Sequence, residues 1–134
     1  MLSIFIFLHK INKTMNPIPS EKIIERLKYE NPWWISGNIP DIYSKMSHRL
    51  YFDLFYPFVT DMNIRRAVVL MGPRRVGKTV MMYHTIGKLI EEGVSPQKIF
   101  FVGIDNPIYI NLSLQDMLDL CSESMNTDTL SGCY

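Results

Sequence analysis

Cysteine is scarce in this chain: two among 134 residues, Cys121 and Cys133, both near the C-terminal end. Two thiols without a Cys-x-x-Cys spacing give neither a disulfide framework nor a zinc site, and no histidine cluster supplies further ligands. They read as reduced, incidental cysteines of a cytoplasmic protein. An excess of either charge is also missing. With a formal net charge of +1, nothing indicates a nucleic-acid partner. Long apolar runs are absent too. The N-terminal stretch from Met1 to Leu8 stops at His9-Lys10, far short of the about 20 residues a membrane span needs, so no membrane association is expected. It also lacks the basic start and small-residue cleavage site of a signal peptide. Residues 1–14 therefore form an apolar extension with two open readings: a buried β-strand, or a segment ahead of a true start at Met15 that is not translated. No internal repeat is visible.

What is present is an ordinary globular composition, 47% hydrophobic and 20% charged, enough for one small domain. Within it lies Gly72-Pro-Arg-Arg-Val-Gly-Lys-Thr79, a complete G-x-x-x-x-G-K-[ST] phosphate-binding pattern. A chance match in a chain of this length is about one in two hundred, and the context argues further against chance. An apolar run, Ala67–Met71, precedes the octet, and an amphipathic segment follows it.

The remaining elements can be placed around that octet. Ser20 is positioned to cap a helix over 21–29, which Asn31-Pro32 ends because proline disfavours α geometry at the residue before it. Trp33 and Trp34 are expected to pack against the following domain. A second helix is expected over 42–56, with Tyr43, Met46, Leu50 and Leu54 on one face and Pro57 ending it. Ala67–Met71 reads as a first strand covered on both faces. A helix over 78–92 follows, stopped by Gly93, and Ile99–Ile104 reads as a second, parallel strand reached by a right-handed crossover. Ser113 with Asp116 fits a capping box before a last short helix. The run from Ser122 onward has no apolar period and is expected to be disordered.

The octet assigns roles by position. Gly72 permits a sharp exit from the strand, and Gly77 lets backbone approach a phosphate without a Cβ in the way. Pro73 stiffens the loop and Val76 is expected to pack beneath it. Lys78 reaches phosphate oxygens as a compact charge, and Thr79 offers its hydroxyl to Mg²⁺. Arg74 and Arg75 are either further phosphate contacts or solvated side chains. Asp105 ends the second strand; a metal-binding carboxylate is one reading, a strand-end or turn residue before Pro107 the favoured one. His84 and the pair His48-Arg49 read as ordinary helix residues, and no catalytic residue is assigned.

Together, Asn31-Pro-Trp-Trp34, the run Arg65–Thr79 and Ile99–Pro107 resemble the N-terminal part of a prokaryotic AAA-type ATPase family with a Gly-Pro-Arg-Arg-x-Gly-Lys-Thr loop. The resemblance spans about residues 17 to 120. It implies an α/β fold: a partial P-loop NTPase parallel sheet with a helical N-terminal lead, truncated after the second strand. It divides the chain into a lead over 15–63, a partial nucleotide-binding domain over 64–121 and a tail over 122–134. It implies ATP with Mg²⁺ as ligand. In such a family the strand carrying the metal-binding Asp-Glu comes later, and no apolar run ending in Asp-Glu follows residue 107. Binding without hydrolysis is the expectation. The alternatives are a non-catalytic remnant that self-associates through an exposed sheet edge, or a small phosphotransferase, whose acceptor site and arginine-rich lid do not appear.

Overall fold

The computed structural model describes residues 2–3, 18–64 and 67–130, with the backbone alone given for 2–3 and 125–130. In chain order the elements are β1 (Leu2–Ser3), α1 (Ser20–Glu30), α2 (Trp33–Ser36), α3 (Asp41–Ser44), α4 (Phe52–Thr60), α5 (Lys78–Glu91), β2 (Ile99–Phe100) and α6 (Leu114–Leu130), with short 3₁₀ turns at Pro96–Lys98 and Pro107–Tyr109. β1 runs parallel to β2, with Leu2 opposite Ile99 and Ser3 opposite Phe100. Within the N-terminal extension, then, residues 2–3 pair with the second strand; residues 4–17 lie outside the described ones. Among the described residues no helix is long and apolar enough to cross a membrane.

The core gathers around the segment 99–102. Ile99 and Val102 are almost fully buried, and Leu27, Trp33, Phe52, Ile86 and Cys121 close over them from the helices. The Asn31-Pro-Trp-Trp34 stretch is the joint. Both indoles donate to the same acceptor, Ile99 O, from Trp33 Nε1 at 3.0 Å and Trp34 Nε1 at 2.9 Å. Trp33 also meets Phe101 edge-on and Trp34 meets Phe100 edge-on. The lead is thereby packed on the second strand, as the adjacent tryptophans predicted.

Several boundaries move. Ser20 is the first residue of α1 rather than its cap; Pro19 holds the cap position and donates no side-chain bond. The helix expected over 42–56 is split into α3 and α4, leaving Leu50 at 93% and Leu54 at 68% exposure. Geometry explains the break. Tyr43 and Phe52 both pack on α5, through Tyr83 and His84, yet nine residues of straight helix are about two and a half turns and would set them on opposite faces. Pro57 lies inside α4 instead of ending it; Asp53 O there loses one helical partner. α4 is held by Tyr56, whose hydroxyl donates to Glu92 at 2.5 Å and whose ring lies under the Lys88 ammonium at 4.3 Å.

The first strand is the largest departure. Residues 67–71 form no strand; Val68 and Leu70 are half-buried while Val69 and Met71 are exposed at 74% and 85%. Only one face is covered, because no strand lies beside this run among the described residues, and a lone apolar strand has no ladder to hold it. Expected disorder from Ser122 is also corrected: α6 continues to Leu130. Burial of Cys121 and Ser124 against the core, with Ser124 Oγ donating to Cys121 O, carries the helix past the apolar periodicity. Its start matches the capping box, since Asp116 N–H donates to Ser113 Oγ and Ser113 N–H donates to the Asp116 carboxylate. Residues 131–134 lie outside the described ones.

Candidate functional site

The octet 72–79 bends into the head of α5. Arg75 has φ +65° and Gly77 φ +91°, both left-handed, so the chain reverses twice within three residues before the helix begins. The first bond inside α5's frame is Met81 N–H to Gly77 O at 3.0 Å. The N–H groups of Lys78, Thr79 and Val80 precede it and have no acceptor within the helix. They add to the positive end of a 14-residue dipole. The far end is closed by a Schellman arrangement: Val94 N–H reaches Leu89 O and Gly93 N–H reaches Ile90 O. Helix direction is therefore fixed at both ends.

Lys78 folds back over the loop. Its ammonium donates to Gly72 O at 2.7 Å and Pro73 O at 2.6 Å. That geometry ties the first and last turns of the loop together and centres a cation on the concave side. Arg74 and Arg75 are exposed. Val76, expected beneath the loop, is instead 47% exposed. With 67–71 unpaired there is no sheet surface under it, and it rests against Gly72.

Thr79 is exposed and faces a cleft of about 460 Å³ that also receives Glu30, Tyr43, Tyr83 and Asp105. The structure thus brings Thr79 and Asp105 to one space. Glu30 there is a buried carboxylate. It accepts from Arg26 Nε at 2.7 Å, Tyr109 Oη at 2.9 Å and Gly103 N–H at 3.1 Å. The Arg26 guanidinium is held above its ordinary range chiefly by that bond. Burial, then Glu30, pushes the Tyr109 phenol up. Tyr83 stacks on Tyr43 with centroids 3.9 Å apart, and burial raises it to about 12.

Among the described residues no group of three or more His, Cys, Asp or Glu is placed to hold a metal. A Mg²⁺ carried by phosphate oxygens and water needs little more from the protein than one hydroxyl, and exposed Thr79 fits that limited role.

Other side chains were not legible beforehand. His84 is buried, with Nε2 2.8 Å from Tyr43 O. Arg49 is exposed as expected but lies outside a helix, and its guanidinium borders Gly77: a methyl group built there would fall 2.7 Å from its Nη2 and 2.9 Å from its Cζ. Glu30 did leave a signal. An acid in the last turn opposes the helix dipole, so its presence there points to partners elsewhere.

Against known proteins, a family model described as "AAA domain" matches residues 64–131. Neither the search of curated proteins nor that of solved structures finds a match.

Proposed function

This chain belongs to the AAA domain family, a nucleotide-binding family, and from that premise we propose that it binds Mg·ATP through residues 72–79. The observation that carries the reading is the position of Lys78. It stands at the head of α5 and directs its ammonium into a loop whose Gly77 is left-handed. Three N–H groups with no acceptor inside the helix, a helix dipole and one ammonium lie together at the head of α5, where phosphate oxygens would sit.

In this reading Gly72, Pro73, Arg74, Arg75, Val76 and Gly77 supply the curled backbone, Lys78 the charge on the outer phosphates, and Thr79 the hydroxyl on Mg²⁺. Lys78 would exchange two carbonyl acceptors for phosphate oxygens, a stronger charge-assisted pairing. The α/β P-loop fold class belongs to the same proposal, as does a cytoplasmic setting. So does self-association: exposed Val69 and Met71 offer apolar surface and an unpaired backbone edge to a second copy.

Calorimetric titration of the folded chain with Mg·ATP tests this. Saturable binding that Lys78→Ala abolishes, with circular dichroism unchanged, is expected. A folded wild-type chain showing no saturation refutes the proposal. Sedimentation analysis across a concentration series tests the association, which a strictly monomeric chain would rule out.

A further inference from the structure

Arg49 comes from the lead, in the turn between α3 and α4, yet its guanidinium lies on Gly77, at the entrance to α5. The approach is close enough that a Cβ on Gly77 would require the guanidinium to move aside. Nη2 and Cζ would stand 2.7 Å and 2.9 Å from a Cβ at that position. Among the described residues the Arg49 carbonyl accepts from Phe52 N–H, but its guanidinium makes no hydrogen bond or ion pair, and the residue is exposed.

This placement is electrostatically incomplete. A guanidinium is set against the positive end of a helix, beside Lys78, whose own ammonium is already satisfied by Gly72 O and Pro73 O. Like charges at a helix N-terminus repel; an anion between them adds an attraction to each cation and to the helix end that offsets that repulsion. The planar fork of arginine suits two oxygens of one phosphate or of adjacent phosphates.

We propose that Arg49 is a phosphate ligand of the loop, supplied by the lead. On polyphosphate binding its guanidinium turns from Gly77 onto the phosphate oxygens. The lead then becomes part of the nucleotide site, and the affinity for a triphosphate exceeds that for a diphosphate by more than Lys78 alone would give. This rests on the loop binding phosphate, as proposed above.

The test compares wild type, Arg49→Ala, Arg49→Lys and Lys78→Ala by titration with Mg·ATP, Mg·ADP and inorganic triphosphate. Arg49→Ala should bind ATP and inorganic triphosphate about tenfold or more weakly, the range for loss of a charged hydrogen bond. Its triphosphate-over-diphosphate preference should shrink. Arg49→Lys should recover part of the loss. Arg49→Gln replaces Arg49→Ala if the alanine chain loses its helical circular dichroism. Arg49→Ala binding all three ligands like wild type, while Lys78→Ala loses them, overturns the role of Arg49 and leaves the loop assignment standing. A wild-type chain that binds none of them removes the loop assignment and this inference together.

Discussion

The carboxamide of Asn31 stands where a neighbouring strand would stand at Phe101. Nδ2 donates to Phe101 O at 2.8 Å, and Oδ1 accepts the Phe101 N–H at 2.6 Å. The same Nδ2 reaches Leu27 O at 2.8 Å, so one buried side chain ends α1 and completes the ladder beyond β2. Asn31→Ala leaves the Phe101 N–H and C=O unpaired in the core. Each such group costs about 1–3 kcal/mol, and a loss of about 2–4 kcal/mol is expected in urea unfolding. Asn31→Asp should not rescue, since it keeps the acceptor, loses the donor and brings a charge into a dry site. A midpoint unchanged in either variant would show that water, not Asn31, satisfies Phe101.

Trp33 and Trp34 share one carbonyl, and that sharing predicts coupling. Ile99 O has two lone pairs and holds both indoles, so Trp34→Phe alone still leaves it one partner. Removing one neutral bond should cost about 1 kcal/mol. Trp33→Phe should cost more, because Trp33 is completely buried and the smaller ring opens space. The double variant should lose more than the sum, as the carbonyl then has no partner. A double-mutant cycle on thermal or urea unfolding measures the excess; strict additivity would mean the two bonds are independent.

What was legible in the sequence was what local rules dictate. The octet, the helix it opens, the stop at Gly93, the Ser113–Asp116 box and the tryptophan joint all follow from turn chemistry, capping or apolar size. What escaped depends on distant neighbours. Residues 67–71 read as a strand from apolar content, but a strand exists only beside another, and β2 takes residues 2–3 instead. The break between α3 and α4 follows from Tyr43 and Phe52 both needing α5. No periodicity in 42–56 contains that requirement. Arg49 carried no motif at all; its place beside Gly77 follows from that same break.

Alkaline pH should loosen the fold. Burial pushes the Cys121 thiol up to about 12 from an ordinary 9.0, and burial, then Tyr43, pushes Tyr83 up to about 12 from 10.0. For a raised pKa the unfolded chain loses its proton first, so stability is full below pH 9 and falls as pH climbs from 9 towards 12. The melting temperature should decline across that window and less steeply in Cys121→Ala. In Cys133→Ser, the remaining Cys121 should also resist thiol reagents at pH 8 until denaturant is added. Prompt labelling of the folded chain would contradict the burial on which both expectations depend.

Gly77→Ala separates backbone strain from steric conflict at the loop. Gly77 holds φ +91°, where a Cβ is strained by about 1–2 kcal/mol, and the added methyl would also meet the Arg49 guanidinium. Arg49 is exposed and can swing away, so the fold should survive with a modest fall in melting temperature. The loop should not survive as a binding site, because relaxing φ turns the N–H groups of Lys78 and Thr79 off their common focus. Adding Arg49→Ala removes the collision but leaves the left-handed requirement. The double variant should therefore regain little of the lost stability and none of the Mg·ATP affinity, since the proposed phosphate ligand Arg49 is gone as well. If Arg49→Ala restored both in full, collision alone would be the reason for glycine at this position, and the left-handed turn would have no part in binding.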